Sequence, residues 1–375
     1  MRIFLSIFCI LPFLISGQED TTKAVLDLSA DFRFRIEQDW DSRKADGTFR
    51  DDRSRMRARV RLGARYVHPA KGEFGVRLRT GNPTKQQDPH LTLGNGASEF
   101  GLQSFAFEKF YYKRQHQGFS FWLGKNTFPF HKQNELFWID HVYPEGISLS
   151  QKIKPSNGPF NELKLNSGYF VVSHSGRALS DDSYLLGAQV YMSLLDERLK
   201  IFPSFYAFNN IPDIPDGFGE IFMDHKIAHV GASYEILNEP KIVFEYDIYE
   251  NLEPLNSDDV LQLVLDETQG HTAAISYGQL KEKGDVLVKG TYAHLEKYSA
   301  IDFFAQNDWA RWDYSSAGSP DGRMTNFHGF EVVFGYALQK DMVLKAKYYN
   351  VEQLVAIGTL TETGSRFRLD LDISF

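Results

Sequence analysis

Cysteine and long hydrophobic runs are both nearly absent from this chain of 375 residues. The single cysteine, Cys9, lies in the one long apolar run, IFLSIFCILPFLI. One cysteine excludes internal disulfides and multi-thiolate metal sites. The run has about thirteen residues where a spanning helix needs roughly twenty, and the mean hydropathy of the chain is −0.35. These shortages exclude a helical membrane protein.

The N-terminal segment has the three parts of a secretory signal peptide. Arg2 supplies the positive start, the apolar run follows, and the small residues of SGQED come next. We therefore expect a signal peptide over residues 1–17 and a mature domain over residues 18–375. Because Cys9 would be removed with the signal peptide, the mature chain would lack a cysteine nucleophile.

Basic residues are outnumbered by acidic ones, 41 to 49, which argues against nucleic acid as a partner. The 11 histidines show no H-E-x-x-H spacing, and no G-x-S-x-G nucleophile elbow occurs. Ser173, His174, Ser175 and Asp181 lie close together, but at a strand end and a short loop rather than in a hydrolase arrangement. We expect neither an enzyme nor a metal or other cofactor.

The sequence is instead rich in alternating patterns. Apolar and polar residues alternate in AVLDLSADFRFRIE, EFGVRLRT, KIVFEYDIYE, GDVLVKGTYAHL and SRFRLDLDISF, among others. A period of two over about ten residues indicates half-exposed β-strands. The chain also contains 31 Phe and 18 Tyr, which need an apolar medium to face. The sequence therefore predicts an all-β protein built from strands with one apolar and one polar face.

Connections of two lengths separate these strands. Tight polar turns such as HPAKG, KPSNG and QKD alternate with long loops at roughly residues 37–53, 81–102, 126–145, 209–225, 251–269 and 298–326. This asymmetry is typical of a transmembrane antiparallel up-and-down β-barrel, with short periplasmic turns and long external loops. We predict about 16 strands, and 14 to 18 stay open. A soluble β-sandwich also alternates, but its strands are shorter and its turns are not sorted by length.

One predicted strand, RSRMRARVRLGARY, carries arginines on one face and apolar residues on the other. An arginine in hydrocarbon costs roughly 2–4 kcal/mol near the bilayer midplane, so the apolar face must meet lipid and the arginines a water-filled lumen. The neighbouring strands, and the last strand at the closure, extend the same wall. The predicted pore-lining basic residues are Arg33, Arg35, Arg55, Arg57, Arg59, Arg61, Arg65, Arg77, Arg79, Arg366 and Arg368.

Two interpretations of this arginine wall stay open. It is either an electropositive surface that favours anions, or a lattice of ion pairs that holds the wall rigid. Acids expected at the periplasmic half of the same wall are Asp27, Asp31, Asp370 and Asp372. Acids expected on an opposing wall are Glu235, Glu245 and Asp247.

The segment LGKNTFPFHKQNELFWIDHVYPEGISL, residues 123–149, mixes aromatic and acidic residues where an external loop would be plainly hydrophilic. We expect the loop at 126–145 to fold into the lumen as a constriction, with its aromatics against the inside of the barrel. Glu135, Asp140 and Glu145 would then face the arginine wall. The alternative is an external loop packed on its neighbours.

The stretch FYYKRQHQGFSFWLGKNTFPF…ELFWIDHVYPEGISL, preceded by RSRMRARVRLG, resembles the putative porins and alginate-export-type barrels of Gram-negative outer membranes. In them an early R-x-R strand is followed by an LGK…PF…D…EG region. Residue by residue, the resemblance extends to Arg55, Arg57, Arg59 and Arg61. It implies passive diffusion or export through a β-barrel, in alginate exporters along an arginine-lined path for an anionic polysaccharide.

These features together predict an outer-membrane porin whose water-filled channel passes small solutes passively, with a mild preference for anions. The alternatives are an alginate-type channel for an anionic polysaccharide and a structural barrel without conductance. Expected partners are outer-membrane lipid and small anionic solutes. A homotrimer would match the assembly that is common among general porins.

Overall fold

The computed structural model of the protein describes residues 23–83, 89–94, 103–212, 222–255, 262–309 and 324–375. The expected signal peptide at residues 1–17 lies outside the described residues. Within them, the chain forms one closed antiparallel β-barrel of sixteen strands. The predicted fold class and strand number are therefore confirmed.

The strands follow one another around the barrel in chain order, each hydrogen-bonded to the next. They are β1 (Val25–Trp40), β2 (Arg53–His68), β3 (Gly72–Thr80), β4 (Phe105–His116), β5 (Phe119–Lys125), β6 (Glu145–Ile153), β7 (Phe160–Ser173), β8 (Ser183–Leu194), β9 (Leu199–Pro212), β10 (Phe222–Leu237), β11 (Ile242–Asn251), β12 (Gln269–Gly278), β13 (Val286–Leu295), β14 (Phe327–Gln339), β15 (Met342–Gln353) and β16 (Thr363–Ser374). A two-residue segment, Leu91–Thr92, pairs with β2 beyond the end of β3. The longest strands have 16 residues, which exceeds the usual length of a sandwich strand.

The barrel closes where the last strand meets the first. β16 pairs with β1 along most of its length, with Phe34 opposite Leu371 and Ile36 opposite Leu369. Closure leaves no strand edge with unpaired backbone groups. It is also the condition under which strands can lie in hydrocarbon, where no water is present to satisfy those groups.

The connections are sorted by length as the sequence predicts. At one end of the barrel the links are as short as residues 117–118 and 340–341, whereas at the other end they span 41–52, 126–144 and 296–326. Gln117 and Gly118 both have positive φ, 46° and 83°, as the tightest hairpin turns require. A long, chemically varied set of segments thus gathers at one mouth of the barrel.

Alternation separates an outer apolar face from an inner face, which is polar in β1 and β2 and carries rings such as Phe170 and Tyr206 where the connections pack. In β2, Met56 and Leu62 are exposed by 55% and 48% on the outside, while Arg57, Arg59 and Arg61 are buried inside. In the described ranges, no helix has the length and apolar character needed to cross a bilayer.

The hydrophobic core lies inside the barrel rather than between two sheets. Buried rings from the connections, among them Phe130, Trp138 and Phe304, pack against inward rings of the wall such as Phe170 and Tyr206. Part of the lumen is therefore filled by protein, and the space left open is set by the segments that enter it.

Candidate channel interior

The arginine wall is formed by the inner faces of β16, β1, β2 and β3. The register sets Arg35 opposite Asp370 on one side and opposite Arg57 on the other. Arg35 is buried, and its Nε and Nη2 donate to the two carboxylate oxygens of Asp370 at 2.6 and 2.8 Å. Such bidentate charged hydrogen bonds are among the strongest that side chains form.

Two acids of β1 are shared between arginines on the strands to either side. Glu37 accepts a hydrogen bond from Arg55 on β2 and lies 3.2 Å from Nε of Arg368 on β16. Asp39 is shared in the same way between Arg53, at 2.6 Å, and Arg366. Cations and anions consequently alternate across three neighbouring strands at Glu37 and Asp39, whereas further along β1 Arg33 lies opposite Arg59 and Arg35 opposite Arg57.

The other predicted arginines also have acceptors among the described residues. Arg57 donates to the backbone carbonyl of His90 at 3.1 Å, and Arg79 donates to that of Thr80 at 2.8 Å. The remaining pairs with carboxylates are Arg33 with Asp372, Arg59 with Asp31, Arg61 and Arg77 with Glu108, and Arg65 with Asp27. The predicted arginines are thus brought together on one wall, but with carboxylates between them.

The connection between β5 and β6, residues 126–144, enters the barrel and is called the first inward loop below. Phe128 and Phe137 pack on Tyr206 of β9, with ring centroids 6.0 and 4.9 Å apart. Phe137 also stacks on Tyr249 of β11 at 5.1 Å. The loop therefore reaches the wall formed by β8 to β12, across the lumen from the arginines.

Asp247 of β11 fixes the tip of the first inward loop to that wall. Its Oδ2 accepts hydrogen bonds from Gln133 Nε2 and Asn134 Nδ2, both at 2.7 Å, and from Thr272 Oγ1 at 3.1 Å. Its Oδ1 lies 2.9 Å from Nε2 of His229. A buried carboxylate with four partners is fully satisfied. The loop tip has further anchors on the wall, because Gln133 Nε2 also donates to the carbonyls of Ala232 and Tyr246, and Gln189 bonds to the backbone of His131.

The other acids expected on the opposing wall have simpler partners. Glu245 of β11 pairs with Lys289 of β13. Glu235 of β10 pairs with Lys241 at 3.1 Å, near the short-turn end. Asp247 is thus the member of this group that contacts the first inward loop.

The three acids predicted for the constriction separate in the structure. Glu135 and Asp140 lie on the first inward loop, where Asp140 pairs with Lys132 at 2.5 Å. Glu145 instead begins β6 on the same outward face as exposed Ile147, and its carboxylate pairs with Lys125 at 2.7 Å. The expectation that Glu145 faces the arginine wall is therefore corrected, because strand alternation turns it away from the lumen.

Glu135 is the titratable group of the loop whose charge is most sensitive to neutral pH. Burial, followed by repulsion from Asp140, raises the pKa of Glu135 to about 7, against the opposing effect of Lys132. The carboxyl group therefore changes its charge within the physiological range. The loop face next to the remaining lumen carries one more negative charge above this pH than below it.

The connection between β13 and β14 also enters the barrel through its residues 296–309, which are called the second inward loop. Phe304 packs on Trp138 with ring centroids 4.7 Å apart, and its carbonyl accepts a hydrogen bond from Ile139 N at 2.9 Å. The two inward loops thus contact each other directly inside the lumen.

Asp308 joins the second inward loop to the arginine wall. Its carboxylate pairs with Arg368 and lies 4.0 Å from Arg35. Although burial opposes the charged form, these two guanidinium groups hold the pKa of Asp308 well below its usual range. Asp308 therefore stays ionised and adds a further carboxylate to the arginine wall.

The two inward loops leave a cavity of about 420 Å³ against the wall formed by β13, β14 and β15. Its charged lining residues are Lys132, Glu135, Asp140, Lys289, Asp308, Glu331, Lys345 and Lys347. The lysines of this wall and the second inward loop were not predicted. A signal existed for the loop, because AIDFFAQNDW repeats the mixture of rings and acids that marks the first inward loop.

No cluster of three or more His, Cys, Asp or Glu side chains within the described ranges is placed to hold a metal ion. His174 and Ser175 both contact Asp182, at 3.0 and 2.9 Å, and they form a loop contact at the long-loop end of the barrel. The chemistry that the interior offers is thus the chemistry of fixed charges, hydrogen-bonding groups and apolar rings around a cavity.

Comparisons with known proteins agree with this architecture. The family model described as putative porin matches residues 42–220. A triple mutant of the Rh. blastica porin superposes with a TM-score of 0.53 at 12% identity, covering 94% of this chain and 100% of that chain. No match was found among curated protein sequences.

Two further solved structures give similar values. The outer membrane channel DcaP of Acinetobacter baumannii has a TM-score of 0.52 at 14% identity, covering 96% of this chain and 99% of that one. Salmonella typhi OmpF, in complex with daunomycin, has a TM-score of 0.51 at 13% identity, covering 93% and 97%. The predicted resemblance is therefore confirmed: residues 42–220 match the putative porin family, and the chain has the fold of bacterial outer-membrane porins.

Proposed function

We propose that this protein is an outer-membrane porin that forms a water-filled channel for the passive diffusion of small solutes. The observation that carries the proposal is the charged cavity of about 420 Å³ beside two inward loops. A closed barrel without a transport role needs no such space. The loops would set the size of the largest solute that can pass, and the side chains around the cavity would determine which solutes of that size pass fastest.

The outer face of the barrel supports a location in lipid. Large apolar residues are exposed on it from strand to strand, among them Leu28 at 73%, Phe107 at 64% and Ile275 at 55%. A soluble monomer rarely exposes apolar patches beyond a few hundred Å². A Gram-negative outer membrane would cover this face, as the similarity to outer-membrane porins suggests.

A mild preference for anions is the finer part of the proposal. Guanidinium groups at a pore wall lower the entry barrier for anions. In the described part of the chain, the arginines of the wall outnumber the carboxylates between them. Because most of these arginines are paired, the preference for anions should be small. The alternative, an ion-pair lattice that only holds the wall rigid, predicts no preference.

Two other functions stay as outcomes of the test. An export channel for an anionic polysaccharide would need a continuous basic path, whereas the arginine wall carries Glu37, Asp39 and Glu108 between its cations. A structural barrel without conductance would be consistent with the apolar rings that fill part of the lumen. Neither accounts for a cavity lined by both lysines and acids.

The test is conductance of the purified, refolded protein in a planar lipid bilayer. Discrete current steps in KCl are expected, with a reversal potential in a salt gradient that favours chloride slightly. Absence of current steps from protein that is shown to be folded and inserted would exclude the channel function. Chemical cross-linking of the same sample would test the predicted homotrimer.

A further inference from the structure

We propose that the cavity between the two inward loops and the wall of β13 to β15 is a binding site for zwitterionic solutes of amino-acid or dipeptide size. The proposal rests on the channel function above, because a solute must enter the barrel to reach this cavity. It names the class of solute that the cavity would retain most strongly.

The size and the apolar part of the lining fit a small organic solute. A volume of about 420 Å³ falls within the roughly 300–1,000 Å³ that small-molecule sites usually have. Leu287 and Val333 contribute aliphatic surface, and Trp309 and Tyr349 contribute rings. A solute body of a few carbon atoms or one ring could lie on this surface while its charged groups point elsewhere.

The positive and negative side chains that line the cavity lie mostly on opposite sides of it. The barrel wall contributes mostly cations, namely Lys289, Lys345 and Lys347 with one acid, Glu331. The inward loops contribute mostly anions, namely Glu135, Asp140 and Asp308 with one cation, Lys132. Of these, Asp308 is already paired with Arg368, so Glu135 and Asp140 are the carboxylates that a solute can use. A solute in the cavity therefore has ammonium groups on one side and carboxylates on the other.

Several of these groups can turn toward a solute. Lys345 lies 3.4 Å from Asp372, and Lys347 lies 3.7 Å from Glu331, both longer than a close charged hydrogen bond. An ammonium group has three donors, so an ion pair of this length leaves donors for a ligand carboxylate. On the loop side, Asp140 pairs with Lys132 at 2.5 Å through Oδ1, but its side chain is 60% exposed, so the second carboxylate oxygen can accept from a solute.

The arginine wall differs in this respect. Arg35 gives both a Nε and a Nη2 donor to Asp370 at 2.6 and 2.8 Å, and its side chain is only 2% exposed. Binding a solute there would require breaking a buried bidentate pair. The loosely paired lysines are thus the cations that a permeating solute can use.

The separation of charge decides the class of solute. A solute with only a negative charge would be attracted by the lysines but repelled by the loop carboxylates. A solute with only a positive charge would be attracted by the carboxylates but repelled by the lysines. A zwitterion can place its carboxylate toward the wall and its ammonium toward the loops, so that both contacts are favourable. An interaction between two unit charges about 7 Å apart in water changes the dissociation constant by about threefold.

The experiment compares three probes that share a phenyl ring on a two-carbon chain: phenylalanine, 2-phenylethylammonium and 3-phenylpropanoate. Each is added at pH 7.5 to single channels of the full protein in KCl, and the dissociation constant for current block is measured. We expect phenylalanine to bind about threefold more tightly than either singly charged probe. Equal block by all three overturns the inference while leaving the channel function intact.

Two substitutions assign the contacts. Lys347→Gln should reduce the advantage of phenylalanine over the ammonium probe, and Asp140→Asn should reduce its advantage over the carboxylate probe. Lys345→Gln, at the other loosely paired lysine, serves if Lys347→Gln does not fold, and Lys347→Arg, which keeps the charge, should keep the advantage. Lys125→Gln is the matched control, because Lys125 lies on the outer face at the barrel rim, and it should keep both advantages. Unchanged preferences in both cavity variants would also overturn the inference.

Discussion

The carboxylate of Asp247 accepts a hydrogen bond from Gln133 Nε2 at 2.7 Å, and this contact holds the tip of the first inward loop against the far wall of the barrel. Asn134 and Thr272 donate to the same oxygen. Four groups converge on this one buried carboxylate, which is therefore a main anchor of the loop tip, beside the bonds between Gln189 and the backbone of His131.

Removal of this carboxylate should widen the channel. In Asp247→Ala the loop tip loses one of its main anchors, so we expect a larger single-channel conductance and more frequent current fluctuations in planar bilayers. Glu250→Ala is the matched control, since Glu250 is an acid on the outer face of the same strand, and its conductance should equal that of the wild type. A variant Asp247→Ala that folds and conducts as the wild type does would show that the aromatic contacts and the bonds to Gln189 fix the loop without this carboxylate.

The buried pair of Arg35 and Asp370 should contribute to stability as a unit. Arg35→Met leaves a buried carboxylate without its main partner, which costs about 3–5 kcal/mol in comparable cases. The double variant Arg35→Met with Asp370→Leu should recover most of this loss. Unfolding of the refolded protein by urea, followed by tryptophan fluorescence, measures the difference.

A matched exposed pair is available as the control for that cycle. Arg65 and Asp27 pair at 2.6 Å, but their side chains are 53% and 44% exposed. Arg65→Met should therefore cost no more than about 1 kcal/mol. Equal losses at the two positions would contradict the difference in burial on which the expectation depends.

Substitution of the central arginines tests the two interpretations of the arginine wall. In Arg55→Ser, Arg57→Ser and Arg59→Ser combined, Glu37 and Asp31 lose positive partners, so the wall becomes more negative. The reversal potential in a KCl gradient should then shift toward cation selectivity. The ratio of cation to anion permeability should rise by about twofold for each positive charge that is removed at about 10 Å from the permeating ion. An unchanged reversal potential would support the ion-pair lattice as the only role of these residues.

Acidification through neutral pH should favour anions. Because the pKa of Glu135 is raised to about 7, its carboxyl is mostly neutral below this pH and mostly ionised above it. The cavity therefore loses a negative charge as the pH falls from 8 to 6, and the chloride preference should rise by about twofold. In Glu135→Gln the reversal potential should not change between pH 8 and pH 6. A change as large as in the wild type would assign the titration to another group.

The outward stripe of β2 can be located by chemical labelling. The only cysteine of the sequence is Cys9, in the predicted signal peptide, so single cysteines can be introduced without interference. In reconstituted protein, Val60→Cys should react with a lipid-soluble maleimide and Lys345→Cys with a water-soluble one. The reverse pattern would contradict the assignment of the two faces.

The sequence by itself determined the closed barrel and the faces of its strands. The alternation in β2 puts Met56 and Leu62 on one side and Arg57 and Arg59 on the other, because successive side chains of a strand point in opposite directions. The sorting of turns by length then predicted the meander and about 16 strands, and the structure chose sixteen from the range of 14 to 18. These are local properties, and a period of two can be read without knowing any partner.

Only the tertiary structure decided what each inward side chain contacts. The register sets Arg35 opposite Asp370, residues far apart in the chain, and it depends on how the last strand meets the first. Likewise, Glu145 turns outward because β6 begins at that residue, although the loop sequence grouped it with Glu135. Interactions between distant segments have no local pattern, so the paired charges, the Asp247 anchor and the cavity with its lysines emerged only when the barrel closed around the two loops.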